Sequence, residues 1–135
     1  MWGGALLDAA LAVPAVLSAS IKVARMEQKL PFDRLVESLR SGRGMLDRLG
    51  SPRSQARVAL RLVRVLPPWG MGPCLKRSLI LLQLWTARGV EVRLHLGVRR
   101  LDQGRPEGHA WLSTEDPELN RLGGAPSGAV EAIEL

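Results

Sequence analysis

The segment "SLILLQLW" (residues 78–85) is apolar on almost every side of a helix. It follows the Pro- and Gly-rich stretch "PPWGMGP", and Gly89, a residue type that commonly ends helices, comes shortly after it. These two breakers predict a helix over residues 74–88. A helix that is apolar all round has to be covered on all sides. We therefore expect a buried central helix around which the rest of the chain is arranged.

Three helices are predicted before this central one. Residues 5–28 form a long apolar segment that Pro14 bends, and residues 30–40 repeat apolar side chains at helical spacing. Ser51 followed by Pro52 is a typical N-cap and first-turn pair, so a third helix is expected from there to about Leu66. The prolines at 67 and 68 end it.

The first of these helices is long enough to be tested as a membrane span. Its opening, "MWGGALLDAALAVPAVLSASIK", has about the length that crosses a bilayer. Asp8 lies inside the apolar run, Pro14 interrupts it, and no Lys or Arg precedes it as in a signal peptide. We expect a helix that docks on the domain, on a partner or on a membrane surface, which leaves peripheral membrane association open.

The pattern changes to that of strands after Gly89. "VEVRLHLGV" (residues 90–98) alternates apolar and polar residues, as a half-buried strand does, and "HAWLST" (residues 109–114) predicts a second strand in a hairpin with it. "RRLDQGRPEG" and "EDPELN" are interpreted as turns, and "AVEAIEL" as an edge strand or a tail. Helices followed by a small antiparallel sheet predict an α+β fold.

Composition limits the classes of function. The chain has 135 residues, a formal net charge of +6 and a sequence pI of about 11.0, which favours an acidic partner such as nucleic acid, an anionic membrane or an acidic peptide. A nucleic-acid binder has only this charge in its favour, because aromatic stacking residues are scarce. Arginines at steps of four, four and three form either a solvated face or a docking surface for an acidic partner. They are Arg53, Arg57, Arg61 and Arg64.

The chain contains one cysteine and two histidines. One cysteine excludes an internal disulfide and favours a reducing, cytoplasmic location. One Cys and two His without close spacing predict no metal site. "GMGP" is followed by Cys and not by the Lys-Ser/Thr pair of a phosphate-binding loop, and no cofactor is expected. Cys74 stands at the start of the central helix, where it is either a buried filler or a thiolate favoured by the helix dipole. His95 is predicted to be a surface residue, whereas His109 could complete a Cys–His pair.

Several separated motifs resemble one family of enzymes. "WGMGPCLKRSLILLQLWTARGVEVRLHLGVRR" followed by "GHAWLS" looks like the transglutaminase-like cysteine protease domain of the B proteins, or leader peptidases, of lasso-peptide biosynthesis. The resemblance covers about residues 50–120. The matching positions are Trp69, Cys74, Leu75, Arg77, Ser78, Leu79, Arg88, Gly89, Leu94, Leu96, Gly97, Val98, His109, Ala110 and Trp111.

The resemblance implies a transglutaminase- or papain-like core and a leader peptidase that acts in maturation of a ribosomally made peptide of the bacteriocin or microcin kind. Cys74 would be the nucleophile, His109 the general base and acid, and the Cys74 N–H an oxyanion donor. The implied partners are the precursor's leader peptide, a leader-recognition protein and an ATP-dependent lasso cyclase, with no nucleic acid. It divides the chain into a helical region, residues 1–50, and a protease domain, residues 51–135, within one compact unit.

The third member of the implied triad departs from the family pattern. An Asp is expected about a dozen residues after His109, but Asn120 and Arg121 stand there. Asn120 could orient the imidazole, or Asp116 could reach it if the turn folds back. The alternative is a catalytically impaired scaffold of the same fold that binds the precursor or partner proteins without cutting.

Overall fold

The computed structural model describes residues 2–42, 44–65, 73–100, 106–125 and 131–134. The Trp69 loop and the tip of the predicted turn at Gly104 lie outside these ranges. Four helices precede a small sheet, which confirms the predicted α+β fold. The elements are α1 (Trp2–Lys29), α2 (Phe32–Ser41), α3 (Pro52–Val65), α4 (Pro73–Ala87), β1 (Arg93–Arg100), β2 (Pro106–Ser113), α5 (Pro117–Leu122) and β3 (Glu131–Glu134).

Helix α4 is the central helix that the sequence predicts. Every side chain from Ser78 to Trp85 is buried. Helices α1, α2 and α3 and the sheet all pack against it, and their apolar residues form one core cluster with it. The helix ends at Ala87 and is followed by Gly89, whose φ of 81° lies in the left-handed region; the Val90 N–H donates to the Trp85 carbonyl at 3.0 Å.

One polar side chain inside this apolar helix fixes the chain between α2 and α3. Gln83 is fully buried, and its Nε2 donates to Asp47 Oδ2 at 2.5 Å and to the Gly42 carbonyl at 3.1 Å. Asp47 is 2% exposed, and its carbonyl accepts from Gln55 Nε2 at 2.9 Å. A buried amide without partners would destabilise the fold, so these bonds offset the cost of burying Gln83.

Helix α1 docks on the domain through a face of small residues and through Asp8. Its buried side chains are Ala12, Ala15, Val16, Ala19 and Val23. Asp8 accepts hydrogen bonds from the Ser51 N–H at 2.8 Å, from Ser51 Oγ at 2.5 Å and from Ser54 Oγ. Ser51 Oγ in turn accepts from the Ser54 N–H at 3.2 Å, so Ser51 caps α3 as predicted.

The opposite face of α1 is apolar and exposed. Leu6 and Leu7 are 69% and 61% exposed, and Ile21 is 54% exposed. Pro14 lies inside the helix without ending it. By length and composition alone, residues 6–29 could cross a membrane, a test that core helices of other proteins and signal sequences also pass.

The sheet has three antiparallel strands in the order β2-β1-β3. The predicted hairpin is confirmed, with Leu94 opposite Leu112 and His95 opposite Trp111. The last segment is a strand and not a tail, because β3 pairs with β1. Strand β2 begins at Pro106, earlier than predicted, because its pairing with β1 continues into the segment that was predicted as a polar turn.

The predicted turn "EDPELN" contains a short helix instead. Asp116 caps α5 by accepting from the Glu118 N–H at 2.9 Å, and Pro117 occupies its first turn. Asp followed by Pro and Glu is a helix-start signature, so the sequence carried the signal for this helix.

The Asp8 contacts predict a pH-dependent contribution to stability. Hydrogen bonds from Ser51 and Ser54, only partly opposed by burial, lower the pKa of Asp8. A lowered folded-state pKa contributes stability above the unfolded value of about 4, and this is lost as the pH falls through the folded value. Asp8→Asn should therefore destabilise the protein to urea at pH 7, and the difference from wild type should shrink below about pH 4.

The control for this experiment is Asp33→Asn, which changes an exposed carboxylate in the first turn of α2. It should show a much smaller difference from wild type at pH 7. A wild-type advantage over Asp8→Asn that stays constant down to pH 2 would contradict the role of the charged carboxylate.

Candidate active site

Cys74 is the second residue of α4 and is half-buried. Pro73 begins the helix, where its missing N–H costs nothing. The first N–H groups of a helix have no acceptor within the helix, and together with the dipole they favour an anion there. The Cys74 carbonyl accepts from Ser78 Oγ at 2.8 Å, one turn along. The thiol therefore lies at the end of the helix that stabilises a thiolate.

His109 lies in β2 and is held by the main chain of a later turn. Its Nε2 is 3.0 Å from the carbonyl oxygen of Gly124. A carbonyl oxygen only accepts hydrogen bonds, so in the neutral imidazole the proton belongs on Nε2. The lone pair then lies on Nδ1, and this nitrogen is the one that can take a proton from a thiol.

Trp111 lies between the two histidines. Its ring stacks on His95 with centroids 5.2 Å apart and on His109 with centroids 5.5 Å apart. His95 Nε2 is 2.6 Å from Ser113 Oγ, so it is engaged within the sheet. The stack restricts the ring of His109 from one side, and the Gly124 carbonyl fixes one of its nitrogens.

The two side chains expected to orient His109 are engaged elsewhere. Asn120 Oδ1 accepts from the Thr114 N–H at 2.5 Å and from Thr114 Oγ1 at 3.0 Å. Asp116 is exposed and caps α5. Among the described residues, the hydrogen bond recorded for the His109 ring goes to the main chain of Gly124. The role of Asn120 or Asp116 as the orienting residue stays a prediction that these contacts do not support.

Two further residues belong to this region that sequence reasoning left without a role. Arg77 follows Cys74 by three residues on α4, and its guanidinium lies against Gly124, where an added Cβ would be 3.0 Å from Arg77 Cζ. Gly124 has a φ of 92°, which disfavours any residue with a side chain. The signal for this turn was the Gly123–Gly124 pair after α5, whose function as a hydrogen-bond acceptor no sequence pattern shows.

Cys74 and His109 are on neighbouring elements, since β2 packs on α4. Within the described residues, no hydrogen bond joins the Cys74 thiol to either histidine. In enzymes, such bonds often form fully only when substrate is bound. In the same part of the chain, no group of three His, Cys, Asp or Glu side chains is arranged to hold a metal ion.

A comparison with protein families identifies the superfamily of this chain. The model of the transglutaminase-like superfamily matches residues 11–127. The chain belongs to this superfamily. Membership supports a cysteine-protease-like function and includes α1 in the domain from residue 11 onward. No curated protein and no solved structure is significantly similar to this transglutaminase-like chain.

The turn at Gly124 predicts a substitution that destabilises the protein. Gly124→Ala forces a side chain into the left-handed region and against Arg77, so we expect a loss of about 1–2 kcal/mol in the free energy of unfolding. Gly108→Ala is the matched control, because an added Cβ at Gly108 meets no atom within 4 Å and its φ is not positive. Urea denaturation measures both. Equal stability of the two variants would contradict the conformation described at Gly124.

Proposed function

We propose that this transglutaminase-like protein is a cysteine peptidase that removes the leader peptide from a ribosomally made lasso-peptide precursor. Cys74 is the nucleophile and His109 the general base and acid. The best support is the hydrogen bond between His109 Nε2 and the Gly124 carbonyl. It leaves the Nδ1 lone pair free, on a strand that packs against the helix whose first turn carries Cys74.

The proposed reaction uses only groups of this chain and water. His109 Nδ1 takes the proton of the Cys74 thiol, and the sulfur attacks the carbonyl carbon of the scissile peptide bond. N–H groups at the start of α4 stabilise the negative oxygen of the tetrahedral intermediate. The intermediate collapses to a thioester with the leader, while the imidazolium gives its proton to the departing amine of the core peptide. Water, deprotonated by His109, then hydrolyses the thioester and releases the leader as a carboxylate.

The products of this cleavage explain why a cyclase and a leader-recognition protein are proposed as partners. Cleavage leaves the core peptide with a free N-terminal amine, which an ATP-dependent cyclase would join to an acidic side chain. A leader-recognition protein would present the precursor in the cytoplasm. Two surfaces of the described chain are available for docking: the exposed apolar face of α1 and the exposed arginines at 57, 61 and 64 of α3.

A scaffold of the same fold that binds the precursor without cutting it is the second candidate function. The observation that favours it is the engagement of Asn120 with Thr114 and of Asp116 with the start of α5. If catalysis needs a side-chain carboxylate or amide on His109, this chain lacks one in the described turn. The peptidase function instead requires that the hydrogen bond to the Gly124 carbonyl is enough to orient the His109 imidazole.

Cleavage of the precursor by this protein with its leader-recognition partner separates the two functions. We expect Cys74→Ala and His109→Gln to lower kcat by more than about 1,000-fold, because loss of a nucleophile or its base costs several orders of magnitude. Mass spectrometry of the released leader and core peptides measures the rates.

His95→Gln is the matched control, since His95 also stacks on Trp111 and its Nε2 is bonded to Ser113. It should retain activity near that of wild type. Cleavage by Cys74→Ala at the wild-type rate would refute the nucleophile, and a precursor that binds but is never cut by the wild-type protein would support the scaffold.

A further inference from the structure

Arg77 is a half-buried cation, and the described residues provide no acceptor for its Nε. Its Nε is buried and makes no hydrogen bond, and neither of the recorded salt bridges includes it. Burial, and to a smaller extent the nearby Arg64, lower the pKa of the Arg77 guanidinium, and Cys74 raises it. Buried charges in proteins are normally paired, and an apolar residue would fill this space without that cost. An anion close to Arg77 would therefore stabilise this buried guanidinium.

The start of α4 provides that anion. Side chains three residues apart on a helix lie on the same face, so Arg77 and Cys74 are neighbours. The interaction between them is attractive when the thiol is ionised, in contrast to the repulsion between Arg77 and Arg64. Deprotonated Cys74 would thus be the charge partner that the guanidinium otherwise lacks among the described residues.

The far end of Arg77 contacts the turn that holds His109. Its guanidinium packs on Gly124, and the carbonyl of Gly124 accepts the hydrogen bond from His109 Nε2. Glycine adopts the φ of 92° at Gly124 without strain, so the contact with Arg77 is what can hold this turn in place. One side chain on α4 therefore links the cysteine to the support of the histidine.

We propose that Arg77 is a positioning residue of the peptidase, which stabilises the Cys74 thiolate and fixes the Gly124 carbonyl that orients His109. This inference rests on the proposed function for its place in catalysis, but the ionisation of Cys74 is measurable without any substrate. The thiol proton passes to His109 Nδ1; the resulting thiolate lies one turn from Arg77 on α4, and the imidazolium is held by Gly124, which Arg77 contacts.

Other charged groups reach the same end of α4. Arg64 of α3 interacts with Arg77, and Arg25 and Glu27 of α1 line a groove with Lys76. His109 of β2 is bound to Gly124, which Arg77 contacts. Most of these are cations when protonated, so removal of Arg77 should weaken the ionisation of Cys74 without abolishing it. A cation beside a thiol favours its ionised, reactive form. We therefore expect removal of Arg77 to slow alkylation of the thiol about tenfold at neutral pH.

The test is the rate at which iodoacetamide alkylates the single cysteine of the full chain between pH 5 and 10. Arg77→Met, which keeps the length without the charge, should react about tenfold more slowly at pH 6 to 7 and at the wild-type rate at pH 10. Arg77→Lys should recover part of the rate, because it restores the charge but not the planar group that packs on Gly124. Arg34→Met, which removes an exposed charge from α2, should follow the wild-type profile.

Arg77→Gln provides a second neutral variant, so that a folding failure of Arg77→Met leaves the test intact; thermal melts of each variant identify such a failure. A folded neutral variant with the same pH profile as wild type would overturn the proposal. The outcome is independent of peptide cleavage. If the neutral Arg77 variants change the alkylation profile but the wild-type protein cuts no precursor, the role of Arg77 is supported and the peptidase function is refuted. If the wild-type protein cuts the precursor but the profile is unchanged, only the role of Arg77 is refuted.

Discussion

Helix α4 has no solvent-facing side between Ser78 and Trp85, and the rest of the chain has to supply its cover. The three preceding helices and the sheet do so, and the single core cluster includes residues from all of them. This burial explains why the start of α4 is well placed for chemistry. A helix that is enclosed along its length leaves only its end accessible, and that end carries Cys74 among N–H groups that have no acceptor within the helix.

The sequence predicts the parts of the fold that depend on local pattern. The apolar run of α4, the alternation of β1 and the Ser51 cap of α3 each arise from spacing or from neighbouring residues, and each is confirmed. The binding of Gln83 to Asp47 is different, because its partners are 36 residues apart and nothing local pairs them. Helix α5 was missed although its cap is local, because a six-residue helix resembles a turn in any window of that length.

In the candidate site, too, the sequence indicates some residues and leaves others unrecognised. Cys74 and His109 are rare residue types in suggestive places, so the sequence draws attention to them. Arg77 is one of many arginines in a basic chain, and only its burial against Gly124 distinguishes it from the exposed arginines of α3. The same burial opposes folding, because an ion without a partner in the interior is unfavourable. On our proposal that Arg77 stabilises the Cys74 thiolate, this cost in folding stability serves the chemistry of the site.

The acceptor on His109 Nε2 is a main-chain oxygen, and such an acceptor has no side-chain identity to preserve. In an evolving lineage, the position that supplies it is constrained in its backbone angles and not in its chemistry. In the Cys–His peptidase that we propose, the side chains at 120 and 121 therefore do not have to hold the imidazole. The chain lacks the expected third side chain of a Cys-His-Asp triad, but its His109 imidazole still has a hydrogen-bond acceptor.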